Sequence, residues 1–119
     1  MKSAQLFDGE LKLMELLWAN EPVSAKKLSH LAAEAVGWNK NTTYTVIRKL
    51  IDKQVVSRTE PNFMCASLIR KEDVGKAETN SLIEKLFAGS KKSFFASFLE
   101  DENLSGEEIA ELKAMIEKR

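Results

Sequence analysis

The sequence has few of the residues that build redox, metal and membrane sites. Among its 119 residues are one cysteine, Cys65, and one histidine, His30. A single cysteine excludes an internal disulfide and leaves no second thiol to hold a metal. No apolar run is long enough to cross a bilayer, and the start is too short and too polar for a signal peptide. We therefore expect a cytoplasmic protein with no metal, no cofactor and no membrane partner.

The residue groupings that carry catalysis are also missing. The sequence shows no nucleophile and base pairing, no phosphate-cradling glycine loop and no cluster of metal ligands. His30 lies beside the apolar stripe of a predicted helix, so we expect it to face solvent. Cys65 lies in a predicted strand, where a lone cysteine is most often a small packing residue; a redox or metal sensor in a dimer is the alternative. We do not expect an enzyme.

What the sequence does contain is a predicted helix with two chemically different faces, in residues 39 to 54. At about 3.6 residues per turn, an apolar stripe turns inward. That stripe consists of Thr43, Val46, Ile47 and Leu50. The first turns of the helix carry polar side chains that can contact base edges in the major groove. These residues are Asn41, Thr42, Tyr44 and Thr45. Arg48 and Lys49 follow a turn later and are suited to phosphates. These faces are typical of a DNA recognition helix, with an ordinary surface helix as the alternative.

The neighbouring segments predict a winged helix over residues 1–70. We expect Asp8 to cap a first helix that ends near Asn20. Its apolar positions are Leu11, Met14, Leu17 and Trp18. Ser24 is expected to cap a second helix, which Gly37 closes. Two β-prone stretches, 55–60 and 63–69, flank a Pro-Asn turn and predict a hairpin.

Residues 71–119 predict three further helices with more apolar surface than so small a unit can bury alone. A capping box of Ser105 and Glu108 begins the last of them. We expect a second copy of the chain to cover this surface, and the alternative is that the helices fold back on the winged helix in one monomeric core. The residues predicted to dimerise are Leu82, Ile83, Leu86, Phe87, Phe94, Phe95, Phe98, Leu99, Ile109, Leu112, Met115 and Ile116. The fold class is therefore mainly α.

Charge divides the chain although the total is zero. Residues 1–70 carry ten basic and seven acidic side chains, whereas residues 71–119 carry eight and eleven. Between residues 38 and 70 the count is six basic to two acidic, so positive potential concentrates on the predicted reading helix and on the hairpin with Arg58. Because this excess is modest, we expect two copies to bind one duplex, with reading helices about one helical turn apart on a pseudo-palindrome.

The segments FDGELKLMELLWANEPVSAKKL and GWNKNTTYTVIRKLIDKQVV resemble the penicillinase repressor family, which includes BlaI, MecI and CopY. They share its D-x-E pattern in the first helix, its Trp ahead of the recognition helix and its T-x-x-T core. The tail segments LIEKLFAGS and FFASFLEDENLSGEEIAELKAMIEKR are similar to its dimerisation region. The resemblance implies a dimeric repressor on double-stranded operators with ACA and TGT half-sites. It assigns DNA contacts to Asn41, Thr42, Tyr44, Thr45 and Lys49.

The chain also departs from the family. The family places a basic residue at the position of Asn41 and often at that of Tyr44. It has glycine at the position of Gln54, where a left-handed turn would cost this chain about 1 kcal/mol.

The resemblance also bears on how the operator is released. In one branch of the family a membrane sensor-protease pathway cleaves an Asn-Phe bond, which matches Ser97 and Phe98 here. The Cys-x-Cys motifs of the copper-responsive branch are missing, so the inducing signal is left open. The alternative function is a winged helix that binds a protein partner and no DNA.

Overall fold

The computed structural model describes residues 6–100 and 103–119, and it confirms a mainly helical winged-helix protein. In chain order its elements are α1 (Asp8–Asn20), β1 (Val23–Ser24), α2 (Ala25–Val36), α3 (Lys40–Asp52), β2 (Val56–Thr59), β3 (Met64–Ser67), α4 (Lys71–Leu86), α5 (Lys91–Leu99) and α6 (Gly106–Glu117). The chain forms two compact units, which divide between Glu78 and Thr79 within α4. None of the helices in the described residues is both long and apolar enough to cross a membrane.

The start of α1 differs from the prediction. Asp8 is the first helical residue, and Phe7 occupies the cap position in an extended conformation. The cap is closed by Glu10, whose Oε1 accepts a hydrogen bond from the Phe7 amide at 2.9 Å. Asp8 was the wrong choice because a carboxylate in the first turn also favours the positive end of the helix dipole, so composition alone does not distinguish the two positions.

Local signals place the ends of α2 as predicted. Ser24 Oγ accepts a hydrogen bond from the Lys27 amide at 3.0 Å, which satisfies one of the unpaired donors of the first turn. Gly37 ends the helix with φ of 74°, in the left-handed region that glycine adopts without steric cost. The short connection that follows leads directly into α3.

The wing is the hairpin of β2 and β3, joined by a third strand that the sequence did not predict. The sheet order is β1-β3-β2, with Val23 opposite Cys65 and Thr59 opposite Met64. The turn between β2 and β3 places Asn62 and Phe63 at φ of 75° and 50°. Gln54, just ahead of the wing, has φ of 64°, so the left-handed turn considered at that position is present.

The core of the first unit lies between α1, α2, α3 and the sheet. Its largest fully buried side chains are Leu13, Met14, Leu17, Leu28, Thr43, Ile47, Leu50, Val55 and Cys65. Cys65 therefore occupies a packing position, and burial raises the pKa of its thiol. The start of α4 is tied to this unit by Val74, which lies in the core, and by a hydrogen bond of 3.0 Å from Trp18 Nε1 to the Ile69 carbonyl.

The second unit is a helical segment with little buried apolar surface. Phe94 is its aromatic centre, with ring centroids of Phe87, Phe95 and Phe98 at 5.5, 5.3 and 4.8 Å. The predicted capping box of α6 is present: Ser105 Oγ accepts from the Glu108 amide, and Glu108 Oε1 accepts from the Ser105 amide, both at 3.0 Å. Elsewhere in this unit large apolar side chains face outward, as described below.

Candidate nucleic-acid interface

The two faces of α3 separate as the helical period predicts. On the inner face Thr43, Ile47 and Leu50 are fully buried, and Val46 is half-buried. The exposed residues of the outer face are those expected to meet DNA: Asn41, Thr42, Thr45, Arg48 and Lys49. Since the inner face is held by the core, the outer face is presented on a rigid element, as direct reading of base edges requires.

The first turn of α3 is fixed by its own cap. Asn39 Oδ1 accepts a hydrogen bond from the Thr42 amide at 2.8 Å. The Thr43 hydroxyl donates to the Asn39 carbonyl at 3.2 Å and so satisfies a buried polar group. These contacts fix the backbone from which Asn41 and Thr45 project into solvent.

Tyr44 links α3 to the wing, a role that sequence reasoning missed. Its ring is half-buried and meets the Phe63 ring edge to face, with centroids 5.9 Å apart. Lys40 Nζ and Arg48 Cζ lie 5.8 and 5.7 Å from the centre of the Tyr44 ring. Cations at this distance are attracted to an aromatic face, so Tyr44 holds two basic side chains near the outer face of α3. Lys40 is thus a further cation that the prediction left out.

The tip of the wing is built around Arg58. Its Nε donates to Glu60 Oε2 at 2.5 Å, and its guanidinium carbon lies 3.6 Å from the centre of the Phe63 ring. Glu60 Oε1 also accepts from the Phe63 amide at 3.2 Å. The hydrogen bond from Arg58 holds the pKa of the Glu60 carboxyl below its ordinary value, so the group is ionised at neutral pH. The only sequence signal for this cluster was the spacing of one basic and one acidic residue beside a turn.

The remaining predicted residues of chemical interest lie apart from this surface. His30 is exposed on α2, as expected. Among residues 6–100 and 103–119, no group of three or more histidine, cysteine, aspartate or glutamate side chains is arranged to hold a metal. Ser97 and Phe98, at the bond considered for cleavage, both lie inside α5, and the Ser97 hydroxyl donates to the Phe94 carbonyl at 2.8 Å.

The residues predicted to dimerise are mostly exposed in the single chain. Ile83 is buried at 4% exposure, whereas Phe87 and Phe94 are half-buried. The other nine are exposed between 41% for Leu112 and 72% for Leu86. They are Leu82, Leu86, Phe95, Phe98, Leu99, Ile109, Leu112, Met115 and Ile116. Phe95, Phe98, Leu99 and Leu112 also line a cavity of about 380 Å³, together with Asn103 and Leu104.

Comparison with known proteins places these features in context. The sequence model of the penicillinase repressor family matches residues 7–118. The penicillinase repressor of Bacillus licheniformis is 26% identical over 98% of this chain and 93% of its own length. The methicillin resistance regulatory protein MecI of Staphylococcus aureus is 27% identical over 99% of this chain and 98% of its own. The solution structure of the DNA binding domain of the repressor BlaI shares the fold at 22% identity, with a TM-score of 0.56, and covers 60% of this chain and 90% of that domain.

Proposed function

The chain belongs to the penicillinase repressor family of transcriptional repressors, and we propose that it acts as a homodimer on a pseudo-palindromic DNA operator. The observation that carries this proposal is the outer face of α3, which is exposed and carries short polar groups ahead of two cations. The family consists of repressors and not of enzymes, so the proposed function is DNA binding and involves no catalysis.

Contacts to DNA divide according to position along α3. Asn41, Thr42 and Thr45 read base edges, because their exposed side chains lie in the first turns of the helix that enters the groove. Arg48 and Lys49 contact phosphates, which fix orientation and affinity without reading sequence. Tyr44 contributes chiefly through its ring, which sets the positions of Arg48 and Phe63.

Arg58 adds a phosphate contact from the wing. Its side chain is 46% exposed, and its guanidinium carbon lies 3.6 Å from the centre of the Phe63 ring, so its position is set before DNA arrives. A preorganised guanidinium loses less conformational entropy on binding a phosphate than a freely rotating one does.

Dimerisation proceeds through the second unit. Phe95, Phe98 and Met115 are 59%, 56% and 64% exposed in the single chain, and exposed apolar surface on this scale is typical of an interface. A second copy supplies matching surface by symmetry. It also doubles the number of phosphate contacts on one duplex, which compensates for the modest basic charge of each winged helix.

Release of the operator follows from loss of the dimer. The bond between Ser97 and Phe98 in α5 is the candidate point of cleavage in a sensor-protease pathway, since it aligns with the Asn-Phe bond of the family; serine in place of asparagine is a departure that argues against cleavage by the same protease. A protease binds its substrate as an extended strand, so cleavage there requires at least one turn of α5 to unwind. Because α5 has nine residues, unwinding one turn would remove a large part of the helix.

A gel-shift titration tests the function directly. Purified protein is added to DNA from upstream of its own gene and to a shuffled duplex of equal length and composition. We expect a complex of two chains with the upstream DNA at lower protein concentration than with the shuffled duplex. No shift of either duplex at low salt would reject DNA binding and favour the alternative, a winged helix that binds a protein partner.

A further inference from the structure

Arg58 is the basic side chain that the wing presents to DNA, and the Glu60 carboxylate forms an ion pair with it. The carboxylate receives the Arg58 Nε at 2.5 Å through one oxygen and the Phe63 amide at 3.2 Å through the other. Arg58 thus contacts both the Glu60 carboxylate and the Phe63 ring. The same carboxylate fixes the wing turn and neutralises the wing charge.

This ion pair contributes little to folding. The side chains of Arg58 and Glu60 are 46% and 59% exposed, and exposed pairs are screened by water and salt. Residues 38 to 70 contain two acidic side chains against six basic ones. Of these two acids, Glu60 contacts Arg58, a side chain proposed to bind DNA. The negative charge of Glu60 repels a phosphate that approaches Arg58, so by itself it weakens binding to DNA.

We propose that Glu60 is an attenuator of DNA binding, which masks Arg58 in the free protein and is displaced from it by a DNA phosphate. This inference rests on the proposed function, because it concerns how strongly that same surface holds DNA. Phosphate contacts supply nearly all of non-specific affinity, and a genome offers a vast excess of non-specific sites. An anion that masks one cation in each wing therefore lowers the purely electrostatic part of binding, while the base contacts of α3 are unaffected.

Phe63 allows Arg58 to exchange Glu60 for a DNA phosphate while its guanidinium stays in place. When Arg58 leaves Glu60, its guanidinium can stay over the Phe63 ring, where cation and aromatic face attract each other. The phosphate therefore meets a guanidinium that its contact with the Phe63 ring has already positioned.

The substitution Glu60→Gln tests the proposal, because the glutamine oxygen can still accept from the Phe63 amide, whereas the negative charge and the acceptor of the Arg58 hydrogen bond are lost. Binding is measured by fluorescence anisotropy on upstream DNA and on a shuffled duplex, at four salt concentrations. We expect affinity for both duplexes to rise about three- to tenfold near physiological salt, from one exposed charge pair in each of two wings. The gain should shrink as salt rises, because salt screens the Arg58–Glu60 pair, while the number of phosphate contacts in the complex stays the same in both proteins.

Two controls separate unmasking from simple removal of a negative charge. Asp52→Asn removes the other acid of this segment, which lies at the end of α3 and has no ion pair within the described residues. It should change affinity less than twofold. In the background Arg58→Ala, the substitution Glu60→Gln should have no effect, because the masked cation is gone. Thermal melting of each variant checks that the fold is retained.

The outcomes distinguish this inference from the proposed function. Wild-type protein that prefers upstream DNA, with no gain in Glu60→Gln, overturns the attenuator and leaves the repressor function standing. An equal gain in the Arg58→Ala background also overturns it, since the effect would then be general repulsion. Wild-type protein that binds neither duplex rejects both proposals.

Discussion

Replacing Thr45 and Lys49 separately should give two different kinds of loss. Both side chains are exposed on α3 and lie one turn apart, so they share a face but reach different parts of the duplex. We expect Thr45→Ala to cost about 1 kcal/mol in each half-site, or about thirtyfold for a dimer on its operator. On a shuffled duplex the same change should have little effect, because no base is being read there.

Lys49→Ala should instead weaken operator and shuffled DNA by the same factor. One phosphate contact contributes about 0.9 to the slope of log affinity against log salt, so two copies should lose about 1.8. Lys12→Ala removes the same charge from α1, outside the positively charged segment of residues 38 to 70, and serves as the matched control. Anisotropy titrations on operators with single base changes, at several salt concentrations, measure both quantities. Equal losses on every sequence for Thr45→Ala and Lys49→Ala would refute the division into reading and anchoring residues.

Three further predictions concern the second unit, the wing and the core. Phe98→Asp should convert the dimer to monomers in sedimentation experiments, because it places an unpaired charge in an apolar interface; a persistent dimer would locate the interface elsewhere. Phe63→Ala should weaken binding to all DNA, because the wing loses its contact with Tyr44 and the support of Arg58, whereas Tyr44→Phe keeps the ring contacts and should behave like wild type on shuffled DNA. Burial raises the pKa of Cys65, so the free energy of unfolding should fall as pH rises above about 8.5, where the unfolded thiol ionises and the folded one does not. Urea titrations at pH 7 and 9.5 should show a smaller fall in Cys65→Ala than in wild type.

Local chemistry explains which parts of the fold the sequence predicted. The faces of α3 follow from helical period alone, and Ser24 and Gly37 mark the ends of α2 through contacts within a few residues. The hairpin was visible because its turn residues stand between two β-prone stretches. Gln54 adopts the left-handed conformation that was considered for it because the family has glycine at that position.

Contacts between distant residues explain what the sequence did not predict. Strand β1 has two residues and exists only through pairing with β3, which lies some forty positions along the chain. Tyr44 meets Phe63 across the helix-wing junction, and no periodicity within either segment indicates that contact. Such features depend on tertiary packing, which a pattern in one segment does not record.

The modest basic charge and the exposed apolar tail have a joint consequence for how binding depends on concentration. Residues 71–119 carry a net negative charge, so they add nothing to the attraction for phosphates, and affinity for DNA must come from two winged helices acting together. If the dimer forms through the tail before it meets DNA, operator occupancy should rise with the square of total protein concentration below the dimer dissociation constant. Above that constant the dependence should become linear. A linear dependence over the whole range, with one chain per complex, would show that a single winged helix is sufficient and that the apolar tail serves another contact.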